Sequence, residues 1–245
     1  MSTPSAFSAD AASAQPREST SVRNVLIWDA PVRVFHWLMV LSFAGAYLTA
    51  ESERWRQVHV TLGYTMAGLV AFRVLWGLIG TRHARFSSFV RGPAAIGRYL
   101  RSLVGGRPEH HPGHNPAGAL AVVALLGMTI LVDATGWATY HEVGGHWLEE
   151  WHEGAAEVML AIVGVHVVAV VLASWLHHSP LIRAMVTGRR PGRPEEGVRS
   201  AWRSVAFVML LAVMGFWWMQ WQAAASPGAV DVAAPASTQH DRDDD

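Results

Sequence analysis

The chain has 245 residues, 51% of them apolar, with 19 arginines, no lysine, 19 acidic residues and a formal net charge of zero. It contains no cysteine, which excludes disulfides, iron–sulfur clusters, zinc–thiolate sites and covalent c-type haem attachment. Without a basic stripe, nothing resembles a nucleic-acid footprint, so no nucleic-acid partner is expected.

Residues 1–24 are rich in Ala, Ser and Thr and lack the apolar core of a secretory signal peptide, so they read as a disordered tail. Apolar stretches follow at 34–50, 58–80, 116–137, 155–176 and 204–221. Each is near the ~20 residues that a helix needs to cross ~30 Å of hydrocarbon, the first and last being short. Residues 155–176 show almost no polar face, unlike a helix of a soluble core. The expected fold class is therefore all-α, a polytopic transmembrane helical bundle. Residues 223–245, ending in an Asp run, read as a second disordered tail.

Arginine placement orients the bundle. Arg82, Arg85, Arg91, Arg98, Arg101 and Arg107 lie between the second and third segments, and Arg183, Arg189, Arg190, Arg193, Arg199 and Arg203 follow the fourth. The loop 138–154 has no Arg and carries Glu142, Glu149, Glu150 and Glu153. Positively charged short loops stay cytoplasmic, so the N-terminus is expected inside and the C-terminal tail outside. Arg54 and Arg56, in the first outer loop, are a small exception.

An ionisable side chain inside hydrocarbon is costly and usually has a partner or a ligand. His36 opens the first segment, His59 opens the second, His152 just precedes the fourth and His166 lies inside it. His152 and His166 are 14 residues apart, which on a helix leaves them about 40° apart in azimuth and about 21 Å apart along the axis. One helix thus offers two ligands at two depths. Direction of travel supplies the partners: His36 sits at the inner level with His166, and His59 at the outer level with His152. Any one of these histidines alone would read as a core residue. Four at two matched depths predict two bis-histidine haem-iron sites in a helical bundle, a ligation suited to electron transfer rather than to O₂ binding.

Arg73 is 14 residues beyond His59 and shares its face at the inner depth. A haem propionate is its expected partner, and snorkelling beside Trp76 is the plainer alternative. Gly63 and Gly164 lie near His59 and His166 and add weak support for close approach of a flat ring.

The stretches WDAPVRVFHW at 28–37, HVTLGY at 59–64, FRVLWGLIGTRHARFSSFVRGP at 72–93, HNPAGA at 114–119 and WHEGAAEVMLAIVGVH at 151–166 resemble the bacterial cytochrome b561 and nickel–iron hydrogenase b-type subunit family. Membrane subunits of some formate dehydrogenases are similar. The resemblance covers about residues 25–190. It implies a four-helix core holding two haem b groups in the bacterial inner membrane, with His36, His59, His152 and His166 as axial ligands. It also implies a quinone as one redox partner and a periplasmic redox protein as the other, either a c-type cytochrome or a hydrogenase or dehydrogenase small subunit. The expected layout is a cytoplasmic tail at 1–24, the di-haem domain at 25–190, a linker and fifth transmembrane helix at 191–222, and a periplasmic tail at 223–245. That fifth helix departs from the four of the best-known members. Asn115 and Pro116 suit the N-cap and first turn of the third segment. With quinone implied on this side, Asn115 becomes the expected donor to a quinone carbonyl.

Remaining polar features have plainer readings. His110, His111 and His114, and His141 and His146 with Glu142 and Glu149, read as solvated loop side chains before a metal site. His177 and His178 complement a helix dipole, and nothing in its spacing demands a role for His83. Trp147, Trp151, Trp217, Trp218 and Trp221 form an outer aromatic belt. Asp133 reads as a helix terminus reached by water. A transporter or metal permease using intramembrane His and Arg is the competing function, but neither repeats nor broken helices are evident.

Overall fold

The computed structural model describes residues 23–90, 115–176 and 181–225, with isolated positions between 92 and 113. Strand β1 (Arg23–Leu26) leads into helix α1 (Ala30–Thr49), then α2 (Arg56–Ile79) and the short α3 (Phe86–Phe89). Helix α4 (Pro116–Tyr140) and α5 (Trp147–Leu176) form a second pair, followed by α6 (Leu181–Thr187), strand β2 (Arg189–Gly192) and α7 (Arg203–Ala225). Helices α1, α2, α4, α5 and α7 are each long and apolar enough to cross a membrane. All five are continuous, without the midplane breaks of a transporter.

Exposure confirms the solvent. Leu48 is 82% exposed, Ile79 79%, Trp175 76% and Val165 71%. So many large apolar side chains on the outside suit lipid and would aggregate in water. The first and last spans, short by composition, are full crossings of 20 and 23 residues. Helix α1 begins at Ala30, four residues before the apolar run, and α7 extends through Ala225 into what composition assigned to the tail.

One end of the bundle carries a folded closing layer that hydropathy alone does not show. Strand β1 pairs antiparallel with β2, Arg23 opposite Gly192 and Leu26 opposite Arg189. Arg23 and Asn24 therefore belong to the folded unit, and the start of the expected linker is a strand. Gly188, at φ +79°, lets the chain turn out of α6 so that its carbonyl accepts from Ile27 N and Trp28 N. A Cβ there would lie 2.6 Å from the Trp28 carbonyl oxygen, so only glycine fits. Ile27, Trp28, Val32, Trp76, Ala84 and Ala184 make the apolar core of this layer.

Asp29 holds the layer to the spans. It is fully buried, and its Oδ1 accepts from Val32 N at 2.9 Å as the N-cap of α1. Its Oδ2 accepts from Trp76 Nε1 on α2 at 3.0 Å and from the Thr81 hydroxyl at 2.7 Å. The start of α1, the end of α2 and the following loop are thereby fastened at one carboxylate.

Helices α1 and α2 pack closely, as do α4 and α5, while α2 meets α4 between the two pairs. Met66, Val132, Ala155 and Met159 fill the junction of α2, α4 and α5. Helix α7 lies against α1, with Met209 among Phe35, Leu38 and Leu69.

Replacing Asp29 by Ala removes a cap and leaves Trp76 Nε1 and the Thr81 hydroxyl unpaired, at an expected cost of about 3 kcal/mol. Thermal unfolding of the purified protein in detergent checks this, with Asp29→Asn expected to lose less because its amide oxygen still caps α1.

Candidate functional site

At the end of the bundle away from the closing layer, His59 and His152 face each other. His59 lies in the first turn of α2, with Nδ1 2.9 Å from the Ala46 carbonyl oxygen of α1. Ala46 is among the last four residues of α1, whose carbonyls lack a backbone amide partner within the helix, and its oxygen also accepts from the Thr49 hydroxyl at 3.2 Å. His152, inside α5 rather than before it, has Nδ1 3.0 Å from the Val132 carbonyl oxygen of α4. A carbonyl only accepts, so both Nδ1 atoms donate, which leaves Nε2 as the lone-pair nitrogen of each neutral ring. This is the arrangement that orients histidine as a metal ligand. The ring centroids are 6.1 Å apart with planes at 85°. Two metal–nitrogen bonds of about 2 Å plus the half-width of each ring require about 6 Å, the separation these two rings have.

Gly136 makes this possible. A Cβ there would lie 2.7 Å from Cε1 of His152 and 3.0 Å from its Nδ1. Gly136 is also one helical turn beyond Val132, where a side chain would cover the carbonyl that His152 uses. The Thr135 hydroxyl donates to Leu131 O at 2.8 Å and stands 3.4 Å from His152 Nδ1.

His36 on α1 and His166 on α5, the other two histidines of the expected ligand set, both lie nearer the closing layer. The His36 ring meets the edge of Trp37, with centroids 5.1 Å apart, and its Nδ1 is buried with no hydrogen-bond partner. An imidazole nitrogen within a span and without a partner among the described residues suits a ligand.

Arg73 is 3% exposed on α2, donates to Ala84 O at 3.1 Å and lies 4.9 Å from the centroid of Phe86. It does not snorkel; it is folded in under the loop after α2. Gly77, one turn on, gives Phe86 its place, since a Cβ there would collide with that ring. No acidic side chain among the described residues forms an ion pair with Arg73. Asn115 is the N-cap of α4, its Oδ1 accepting from Gly118 N at 2.7 Å, with Pro116 in the first turn.

Several secondary readings change. Asp133 is not at a helix terminus, because α4 runs on to Tyr140 and Asp133 Oδ2 is buried without a partner. Gly164 is exposed with open space around it; two residues before His166 it lies on the far side of α5, so only Gly63 remains near a ligand face. His83 is buried and its Nε2 donates to Glu196 O at 2.7 Å, tying the α2 loop to the strap before α7. Trp217 is not part of an interfacial belt, since its Nε1 donates to the Thr65 hydroxyl on α2 at 2.9 Å. His141 stands 3.0 Å from the Tyr64 hydroxyl and His146 pairs with Glu149 at 3.3 Å. No group of three or more His, Asp or Glu side chains converges as a metal site among the described residues. His110, His111, His114, His177 and His178 lie outside the described residues.

Sequence reasoning missed Asp29, Gly136 and the two carbonyl acceptors. Asp before Ala-Pro is a readable N-cap signal. A glycine that clears a carbonyl for a residue on another helix carries no local signature.

The chain is similar to proteins named as probable Ni/Fe-hydrogenase B-type cytochrome subunits. That of Rhizobium leguminosarum bv. viciae is 24% identical over 227 residues, covering 74% of this chain and 94% of the relative. The Azotobacter vinelandii protein is 27% identical over 213 residues, covering 68% and 88%. The Escherichia coli K12 protein, named for hydrogenase 1, is 24% identical over 221 residues, covering 71% and 94%. No solved structure matches the chain. The family of prokaryotic cytochrome b561 matches residues 27–188, a span that contains both histidine pairs, Arg73, Asn115 and the Asp29 junction, and the chain belongs to that family.

Proposed function

We propose that this protein is a di-haem b-type cytochrome that carries electrons across the bacterial inner membrane between the quinone pool and a periplasmic redox protein. The observation that carries the reading is the His59–His152 pair, two rings 6.1 Å apart with both Nδ1 atoms committed to backbone carbonyls. Haem b held between two histidines supplies a one-electron couple with no open coordination position. His36 and His166 are the proposed ligands of a second haem nearer the closing layer, and Arg73 is the proposed partner of one of its propionates.

The closing layer and its loops carry Arg82, Arg85, Arg183, Arg189, Arg193 and Arg199, while the opposite loop 141–146 has none. This supports a cytoplasmic closing layer and N-terminus, with His59 and His152 toward the periplasm. The relatives' names favour a hydrogenase as the periplasmic partner. Asn115, at the start of α4 on the cytoplasmic side, is the proposed contact to a quinone carbonyl.

A dithionite-reduced minus oxidised spectrum of purified membranes tests the reading, and lack of a b-type α-band overturns it. His59→Ala and His152→Ala are each expected to remove the same half of the haem, and His36→Ala and His166→Ala the other half. Loss of one centre by both His59→Ala and His166→Ala would break the pairing, with expression level controlling for a collapsed bundle.

Gly136→Val is expected to keep the haem nearer the closing layer and to displace the His152 ring, changing the low-spin electron paramagnetic resonance signal of the outer centre. An unchanged signal would show that Gly136 does not set the ligand's orientation. In Asn115→Leu both haems are expected to bind while quinone-dependent oxidation slows by about tenfold, the scale of one lost hydrogen bond. Unchanged quinone kinetics in a fully loaded variant would move that site elsewhere.

A further inference from the structure

A cavity of about 760 Å³ runs along the seam of α2 and α7, outside both histidine pairs. Tyr64, Thr65, Gly68, Leu69 and Phe72 line it from α2, and Val205, Val208, Met209, Ala212, Val213 and Phe216 from α7. The two helices are clamped at both ends. Trp202 packs edge-on against Trp76, centroids 5.6 Å apart, at the closing-layer end, and Trp217 donates to Thr65 at the other. Between the clamps the floor is low: a Cβ on Gly68 would meet nothing within 4 Å. From Ser204 to Phe216 the seam runs about 18 Å, comparable with one leaflet of a ~30 Å hydrocarbon core.

Apart from Ser204 at its mouth, the seam is poorly equipped to recognise a polar ring. The Thr65 hydroxyl donates to Thr61 O at 2.7 Å and accepts from Trp217, and the Tyr64 hydroxyl is engaged with His141. An aliphatic chain needs no such groups.

The charge lies at the mouth. Arg203, in the first turn of α7, is exposed and immediately precedes Ser204, which lines the seam. A guanidinium at the end of an apolar seam, with no ion-pair partner among the described residues, calls for an anion at the membrane surface.

We propose that the α2–α7 seam holds an acyl chain of an anionic phospholipid from the leaflet on the closing-layer side, with its phosphate on Arg203. The lipid then completes the attachment of α7 to the bundle.

The test is native mass spectrometry of the full-length, haem-loaded protein after delipidation and titration with phosphatidylglycerol, phosphatidylethanolamine or a long-chain ubiquinone. Phosphatidylglycerol is expected to be retained over phosphatidylethanolamine. Arg203→Gln is expected to weaken its retention about fivefold. Gly68→Leu, which fills the seam, is expected to weaken it as well, while Arg54→Gln at the opposite end leaves it unchanged. Equal retention of the two phospholipids, or retention indifferent to Arg203→Gln, overturns the proposal. So does a phosphatidylglycerol site insensitive to Gly68→Leu, which would place the lipid on the surface. Displacement of the lipid by ubiquinone at lower concentration assigns the seam to a quinone tail and overturns it too. Unaltered haem spectra in each variant show that the bundle is intact.

Discussion

The carboxylate of Asp29 accepts hydrogen bonds from the first turn of α1, the last turn of α2 and the loop that follows. A buried charge survives only where its lone pairs are filled, so these three segments are held at fixed distances by one side chain. The relative height of α1 and α2 follows from it. His36 lies seven residues above Asp29, about 10 Å along α1, and Arg73 three residues from Trp76, about 4.5 Å along α2. Both side chains are thereby set within two helical turns of one anchored plane. Hydrophobic contact in lipid cannot do this, because the lipid tails are as apolar as the helix faces.

At the other end the constraint is different. His59 and His152 are fixed by backbone carbonyls of the neighbouring helices. Each bond joins a histidine-bearing helix to its sequential partner, α2 to α1 and α5 to α4, so each closely packed helix pair presents its histidine as a unit. The Ala46 carbonyl is available because α1 ends there; the Val132 carbonyl is available because Gly136 leaves it uncovered. The two pairs of helices then need only the apolar junction of Met66, Val132, Ala155 and Met159 to bring the two rings together.

What could be read from the sequence is what depends on spacing along one helix. Fourteen residues between His152 and His166, and again between His59 and Arg73, set depth and azimuth from helical geometry alone, and α5 and α2 are continuous over both intervals. The cap at Asn115 was legible for the same reason, since capping is local. The closing layer was not. Its strands are four residues each and lie more than 160 residues apart, and RRPG has no strand pattern of its own. The burial of Arg73 under Ala84 and Phe86 depends on how the loop folds back, which no periodicity encodes.

The fifth helix looks like an addition when the family boundary at residue 188 is set beside the chain, yet the residues beyond it are built into the junction. The Ala30 amide, one of the N–H groups at the start of α1 that the helix cannot satisfy, donates to Ala201 O at 2.8 Å. Val198 N donates to Leu26 O at 2.7 Å, and His83 to Glu196 O at the same distance. The strap from 193 to 202 therefore completes hydrogen bonds of the four-helix part instead of merely leading away from it. It ends at Trp202, whose φ of +50° is unfavourable for a residue with a side chain and is compensated by its packing on Trp76, the same indole that bonds Asp29. Position, polarity and strain at the start of α7 thus converge on the carboxylate that fixes α1 against α2, and α7 is coupled through it to the level at which His36 stands.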